Sequence, residues 1–262
     1  MLKLIKSSPE VDNWVVNLIN ENKKKLFSLE GYSVRDEKVT AIFERFESNI
    51  DIDAIKVEDI QPIIIDNNLP EWQAKYLFSL NLKSPFYIII WKERVDKYLI
   101  LEVLDKNIKL KIHCKFMNGD SFSQWMGQLK GIKVTKGFVE GSRLASIDIE
   151  LRKYGVPWPG NLDGFIYWDG SFVCIIEFSR TRKRSVKEHD IREFFGEDYN
   201  RWKPFEILRK QLNIPAYVIL WSTSEDIVKV QRIKQITDNL YFDKEIILPK
   251  LEIENFLNGK KI

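Results

Sequence analysis

Pro157-Trp158-Pro159-Gly160-Asn161-Leu162-Asp163-Gly164-Phe165 is followed closely by Phe172-Val173-Cys174-Ile175-Ile176-Glu177-Phe178-Ser179, and these two runs decide how the chain reads. Apolar, β-branched and aromatic residues on either side of Asp169-Gly170 predict strands at about 163–168 and 172–179. One carboxylate opens the first strand, and the second comes straight after four apolar residues. Burying a carboxylate without a partner is costly. Two of them converging at the edge of a buried hairpin suit a hard divalent cation, which takes oxygen ligands.

Strand alternation gives this reading a geometric condition. Glu177 and Ser179 share a face with Val173 and Ile175, while Cys174, Ile176 and Phe178 fill the other. Both faces are apolar, so the strand is expected to be central in its sheet. A regular two-residue loop at Asp169-Gly170 would pair Trp168 with Ser171 and leave Asp163 and Glu177 on opposite faces. A three-residue loop or a bulge around residues 168–171 would put them on one face.

Working outward, residues 139–154 predict a helix with Leu144, Ile147 and Leu151 on one side, leading into a Pro/Gly loop over 155–162. A second helix is expected at 203–213, with Pro204 in its first turn and Asn213-Ile214-Pro215 as its end. Ala216 to Trp221 then reads as a strand that joins the hairpin after the helical crossover. Before residue 131, helices are expected at 10–28 and 36–49. An apolar segment at 57–65 precedes a helix from Pro70 to about Leu80. Strand runs at 86–91, 98–103 and 108–116 suggest an antiparallel meander, and a short helix follows at 121–129. A boundary is expected within 131–137, dividing the chain into an N-terminal region (1–135) and a C-terminal core (136–262). No internal repeat is apparent.

The 262 residues are 44% hydrophobic and 30% charged, with a net charge of +3, which fits a globular protein and only weakly favours a polyanionic partner. The two cysteines, Cys114 and Cys174, lie in apolar runs and read as buried free thiols. With no CxxC pair, signal core or apolar run of membrane-spanning length, a cytoplasmic setting without a membrane partner is the default expectation. Two histidines, His113 and His189, offer little for histidine-based catalysis. GxSxG, P-loop and GxGxxG patterns are absent, which argues against hydrolase triads and nucleotide cofactors.

The acid on one strand, the acid followed by x-and-one-more on the next, the helix before and the helix–strand after resemble the PD-(D/E)XK nuclease superfamily over residues 138–222. The resemblance implies an α/β restriction-endonuclease-like core, a mixed sheet flanked by helices, preceded here by the N-terminal helices and meander. It implies that Asp163, Glu177 and the Phe178 carbonyl hold Mg²⁺, with Mn²⁺ able to substitute, and that a third acid comes from the preceding helix, with Glu150 and Glu140 as the options and Glu150, nearer the Pro/Gly loop, the choice. Two departures stand out: Pro159 lies four residues before Asp163, and Ser179 occupies the position of the motif lysine. In the family that lysine stabilises developing negative charge. Candidates to replace it are Arg180, Arg182 and Lys183 just beyond the strand and Lys203 at the expected helix start, of which Lys203 is favoured.

Arg180-Thr181-Arg182-Lys183-Arg184-Ser185-Val186-Lys187 is the densest cationic run and directly follows the second acid. Arg180, Arg182, Lys183, Arg184 and Lys187, with Arg201 further on, are therefore expected to hold a phosphate backbone. The function expected is a Mg²⁺-dependent endonuclease on duplex DNA, most like a type II restriction enzyme and acting as a homodimer. The alternative is a catalytically inactive nuclease-like binding module, or a nuclease subunit of a mobile-element or defence complex.

Overall fold

The computed structural model describes residues 2–5, 25–93, 95–131, 145–182 and 184–257. They form an α/β protein of two compact units: Met1–Ser7 with Leu29–Asn161, and Ser8–Ser28 with Leu162–Ile262. The division falls at residue 161 rather than within 131–137. The cause is the segment just before it: Ile147, Leu151 and Val156 are buried in the first unit's core with Phe43, Tyr87, Ile89 and Phe122. The helix expected to introduce the C-terminal core is thus held by the first unit. Among the described residues, no helix is long and apolar enough to cross a membrane.

The first unit contains β1 (Leu2–Leu4), β2 (Lys25–Arg35) from Leu29 onward, β3 (Lys38–Ser48), α1 (Val57–Leu82), β4 (Phe86–Lys92), β5 (Val95–Val103), β6 (Leu110–Phe116), α2 (Gly119–Lys130) and α3 (Ser146–Lys153). Strand β3 pairs antiparallel with β2 and parallel with β4, and β4, β5 and β6 follow antiparallel. Residues 36–49, expected as a helix, are instead β3. Val39, Thr40 and Ile42 are β-branched, and burial on both faces removes the alternation that would have marked a strand. The expected helix at 10–28 lies outside the described residues up to 24, and from Lys25 the chain is strand. The segments 57–65 and 70–80 form one helix, α1, kinked at Asn68 (φ 142°, ψ 74°) two residues before Pro70.

The second unit contains β7 (Gly160–Trp168), β8 (Ser171–Arg180), α4 (Phe195–Leu212), β9 (Ala216–Trp221), β10 (Ile227–Ile236), β11 (Leu240–Pro249) and α5 (Ile253–Leu257). Strand β8 pairs antiparallel with β7 and parallel with β9, and β9, β10 and β11 follow antiparallel. Its core gathers Ile166, Cys174, Ile176, Ile219, Val230 and Leu248. Helix α4 begins earlier than expected, so Pro204 stands inside it. The entry is a 3₁₀ turn at Ile191–Phe194, capped by the Asp190 carboxylate, which accepts from the Arg192 amide at 3.0 Å.

The two units are built to one plan, although no repeat stands out in the sequence. Hairpin, helix, parallel strand and two antiparallel strands follow in the same order. Both hairpins turn on two residues of positive φ, Asp36 (50°) and Glu37 (58°) in one, Asp169 (45°) and Gly170 (78°) in the other. That is the backbone of a type I′ turn. Both carry a register shift at the same step, between Ser33 and Val34 and between Ile166 and Tyr167. The amides of Ile42 and Ile175 both donate to a proline carbonyl, of Pro85 and Pro215, at 3.0 Å. Both crossover helices end near a left-handed residue, Lys83 (54°) or Asn213 (53°), and both bury a tryptophan, Trp72 or Trp202. Residues 29–46 therefore correspond to 162–179 without a gap. Leu29, Gly31, Asp36, Ile42 and Glu44 match Leu162, Gly164, Asp169, Ile175 and Glu177, while Tyr32, Val34, Val39, Ala41 and Phe43 match other apolar residues.

Candidate active site

The hairpin of the second unit satisfies the geometric condition through its bulge, not its loop. The turn is the regular two-residue kind, with Trp168 opposite Ser171 and Tyr167 opposite Phe172. Val173 is then the extra residue, and beyond it Ile166 faces Cys174 and Gly164 faces Ile176. One step further along the same register, Asp163 stands opposite Glu177 on the same face of the sheet. Gly164 helps hold this stretch tight, because a Cβ there would come within 2.6 Å of Leu26 Cδ1.

Both carboxylates are buried, Asp163 with 7% and Glu177 with 3% of its surface exposed. Arg201 from α4 bridges them: Nη2 donates to Asp163 Oδ2 at 3.3 Å and also to Glu177 Oε2. The Phe178 amide donates to Asp163 Oδ2 at 3.0 Å. Burial pushes the Glu177 carboxyl up to about 8, and the neighbouring Asp163 charge adds to this despite the opposing pull of Arg201. The arginine side chain itself remains 44% exposed. Two hard, buried oxygen acids are thus matched by a guanidinium that has one side in solvent.

Most of the remaining predicted residues lie elsewhere. Ser179 is half-buried on β8, two residues beyond Glu177. Lys203 is exposed, and two residues along a helix turn it about 200° away from Arg201. The structure therefore brings Arg201, not Lys203, to the acids. The buried pair Trp202 and Phe205 marks the side of α4 that faces the protein, and Arg201 borders that side. That helical stripe was the signal available in the sequence. Glu150 belongs to the first unit, where it accepts from Lys153 at 2.6 Å and lines a cleft of about 380 Å³ with Asp96 and Tyr98. Among the described residues, no group of three or more His, Cys, Asp or Glu side chains is placed to hold a metal.

The basic run is a folded loop, not a loose tail. The Thr181 hydroxyl donates to the Arg184 carbonyl at 2.8 Å, and Val186 is fully buried with its amide on Glu225 at 2.8 Å. From behind, the buried Lys229 ammonium donates to the carbonyls of Lys187 and His189, at 2.7 and 2.9 Å. Arg180 lies over the Trp221 ring and reaches Thr223, and Arg184 pairs with Glu193 at 2.5 Å. Arg182 and Lys187 are exposed, and Lys183 lies outside the described residues.

The matching place in the first unit holds a second acid pair, which the sequence reading missed because it took β3 for a helix. Gly31 faces Phe43, so Glu30 stands opposite Glu44. Here each acid has its own buried cation. Lys75 of α1 bonds Glu44 at 2.7 Å and Glu71 at 2.8 Å, and only 1% of its side chain is exposed. Arg45 lies 3.7 Å from Glu30, bonds Asp148 at 2.6 Å and stacks over Trp158 at 4.6 Å. Burial works against the Lys75 ammonium, but the Glu44 and Glu71 carboxylates outweigh it and raise Lys75 above the ordinary lysine value.

No family model matches this chain, and no curated protein matches it either. Among solved structures, the crystal structure of a sex pheromone staph-cAM373 precursor is similar over 95% of this chain and 84% of that one, at 11% identity and a TM-score of 0.22. A likeness so slight carries no argument about fold or function.

Proposed function

We propose that this chain is a metal-dependent endonuclease that hydrolyses DNA, built in the manner of the PD-(D/E)XK nucleases. The observation that carries the reading is the bulge at Val173, which brings two buried carboxylates opposite each other on adjacent strands. Helix α4 and the parallel strand β9 then follow in the order that this reading expects. Asp163, Glu177 and the Phe178 carbonyl are a hard oxygen set of the kind that Mg²⁺ or Mn²⁺ takes. A bound Mg²⁺ would acidify water and stabilise the charge of the reacting phosphate.

The chain's own groups divide the remaining work. Glu177 must give up its proton before a cation is held, and its raised pKa makes that step sensitive to pH near neutrality. Arg201 neutralises the acid pair in the resting protein, lies over the Trp202 ring and keeps 44% of its side chain in solvent, on the side a phosphate would approach. It is the cation best placed to supply the positive charge that Ser179 lacks. Arg182 and Lys187, on the loop fixed by Val186, hold the DNA backbone, with Arg180 and Arg184 alongside. A homodimer on a two-fold DNA site remains part of the proposal.

The test is incubation of plasmid DNA with the purified chain in Mg²⁺, in Mn²⁺, in EDTA and with Glu177→Ala. Cleavage that needs both the metal and Glu177 is the expected result. The serine at the motif-lysine position favours a second reading, a nuclease-like module that binds without cutting. Salt-sensitive DNA binding with no cleavage in any divalent metal would select it.

A further inference from the structure

We infer that the first unit carries a binding site of its own, a cleft along α2 that takes a guanine nucleotide with its base toward Asp120 and its phosphate toward Arg35. The inference stands apart from the nuclease reading, because every residue in it belongs to the first unit.

The cleft holds about 560 Å³, which is within the range of small-ligand sites. Helix α2 lines it together with Arg35, at the end of β2, and with Tyr154 and Val156, just after α3. At two positions in this lining α2 gives up stability. Ser123 is 2% exposed, and its Oγ has no hydrogen-bond partner among the described residues. A buried hydroxyl left unsatisfied is costly. Gly127 stands one turn further on, inside the helix, where glycine is less favourable than alanine. Packing does not demand it: a Cβ there would meet Val156 Cγ2 at 3.7 Å, an ordinary contact. Both costs leave the same space open. A ligand that bonds Ser123 and fills the gap above Gly127 offsets them.

The rest of the lining points to the kind of ligand. Gln124 Nε2 donates to Asp120 Oδ2 at 2.8 Å, which leaves Asp120 Oδ1 and Gln124 Oε1 as neighbouring acceptors with no donor among the described residues. They suit an edge with two adjacent N–H donors. Guanine has such an edge in N1–H and N2–H₂, whereas adenine sets one donor beside an acceptor. At the same end of α2 the Tyr154 ring lies against Gly119, its Cε2 2.9 Å from where a Cβ would stand. Tyr154 is 38% exposed and offers a face on which a base can stack. Arg35 lies at the other end, over Gly131, with Nη1 on the Gln128 carbonyl at 2.9 Å and Nε 3.3 Å from Asp36. Its Nη2 makes no bond among the described residues and half of the side chain is in solvent, which suits a phosphate. Asp120 and Gln128 are about 12 Å apart along the helix, a span that a nucleotide covers from base edge to phosphate.

Calorimetry with GDP on the full chain tests this, in EDTA so that no metal site contributes. ADP and a single strand with a 5′-phosphorylated guanine are the comparisons. One GDP per chain, bound about tenfold tighter than ADP, is expected. Ser123→Ala and Gly127→Ala should each raise Tm, because they remove a cost of the empty cleft, while weakening GDP binding about three- to tenfold. A merely structural role would not move the two readouts in opposite directions. Asp120→Asn, which turns one carboxylate oxygen into an amide donor, should remove the preference over ADP. Binding of the strand without binding of GDP would support the same guanine and phosphate chemistry, presented by a strand end. ADP bound as tightly as GDP, unchanged affinity in Ser123→Ala, or no binding of either guanine probe would overturn the inference. None of these outcomes bears on metal-dependent cleavage through Glu177, so the nuclease reading stands or falls separately.

Discussion

Glu30 and Glu44 in the first unit face each other as Asp163 and Glu177 do in the second, yet the surroundings treat the two pairs differently. In the first, Lys75 and Arg45 are sealed in with the acids and tied down again by Glu71 and Asp148. In the second, Arg201 reaches both acids from a position that is half in water. The difference teaches that a pair of buried carboxylates is not in itself a site. The accessibility of the compensating charge decides whether the pair is a structural element or can be emptied to receive something else.

The harshest way to probe this contrast is to remove each cation in turn. Lys75→Met leaves Glu44 buried without its ammonium and is expected to cost about 3–5 kcal/mol in urea unfolding. Arg201→Met, at a side chain 44% exposed, is expected to cost less, about 1–2 kcal/mol. Equal losses would erase the distinction between a closed and an open pair.

Next in size is the effect of pH on the open pair. The folded pKa of Glu177, about 8, lies above its ordinary value. Between those two values the folded protein keeps a proton that the unfolded chain has released, so stability without a cation falls as pH rises through about 8. Cation binding expels that proton and should strengthen by about tenfold per pH unit below pH 8, then level off. Calorimetry of Mn²⁺ binding between pH 6 and pH 9 measures the slope, and a flat profile would mean that Glu177 is not a ligand.

The smallest expected effect sharpens the role of Arg201. Because the guanidinium competes for the same two oxygens, Arg201→Ala should tighten Mn²⁺ binding severalfold while slowing cleavage. Weaker binding in this variant would make Arg201 a support for the cation rather than its competitor.

Some of this was legible from residues alone. The run from Val173 to Phe178 is apolar on both faces, which marks β8 as central, and Asn213-Ile214-Pro215 marks the end of α4 before β9. The condition on register was legible too, but not its outcome. Nothing in Tyr167, Phe172 or Val173 says that the extra residue falls there rather than in the loop. Strand β3 was missed because Glu44 and Arg45 in mid-strand resemble the polar side of a helix, and their burial depends on Lys75 and Asp148 far away in sequence. The missed strand also hid the repeat, since matched pairs such as Tyr32 with Phe165 and Ala41 with Cys174 keep apolar character without identity.

The bulge shared by the two hairpins carries one more consequence. It stores the acid pair as a parity, an odd residue in the count between turn and carboxylate, and not as a chemical identity. Thr40 holds the extra place in one hairpin and Val173 in the other. Substitution there should therefore be forgiven, and deleting that one residue would leave a regular hairpin with Asp163 still opposite Glu177; only a hairpin that kept the residue and paired it in unbroken register would set the two acids on opposite faces of the sheet.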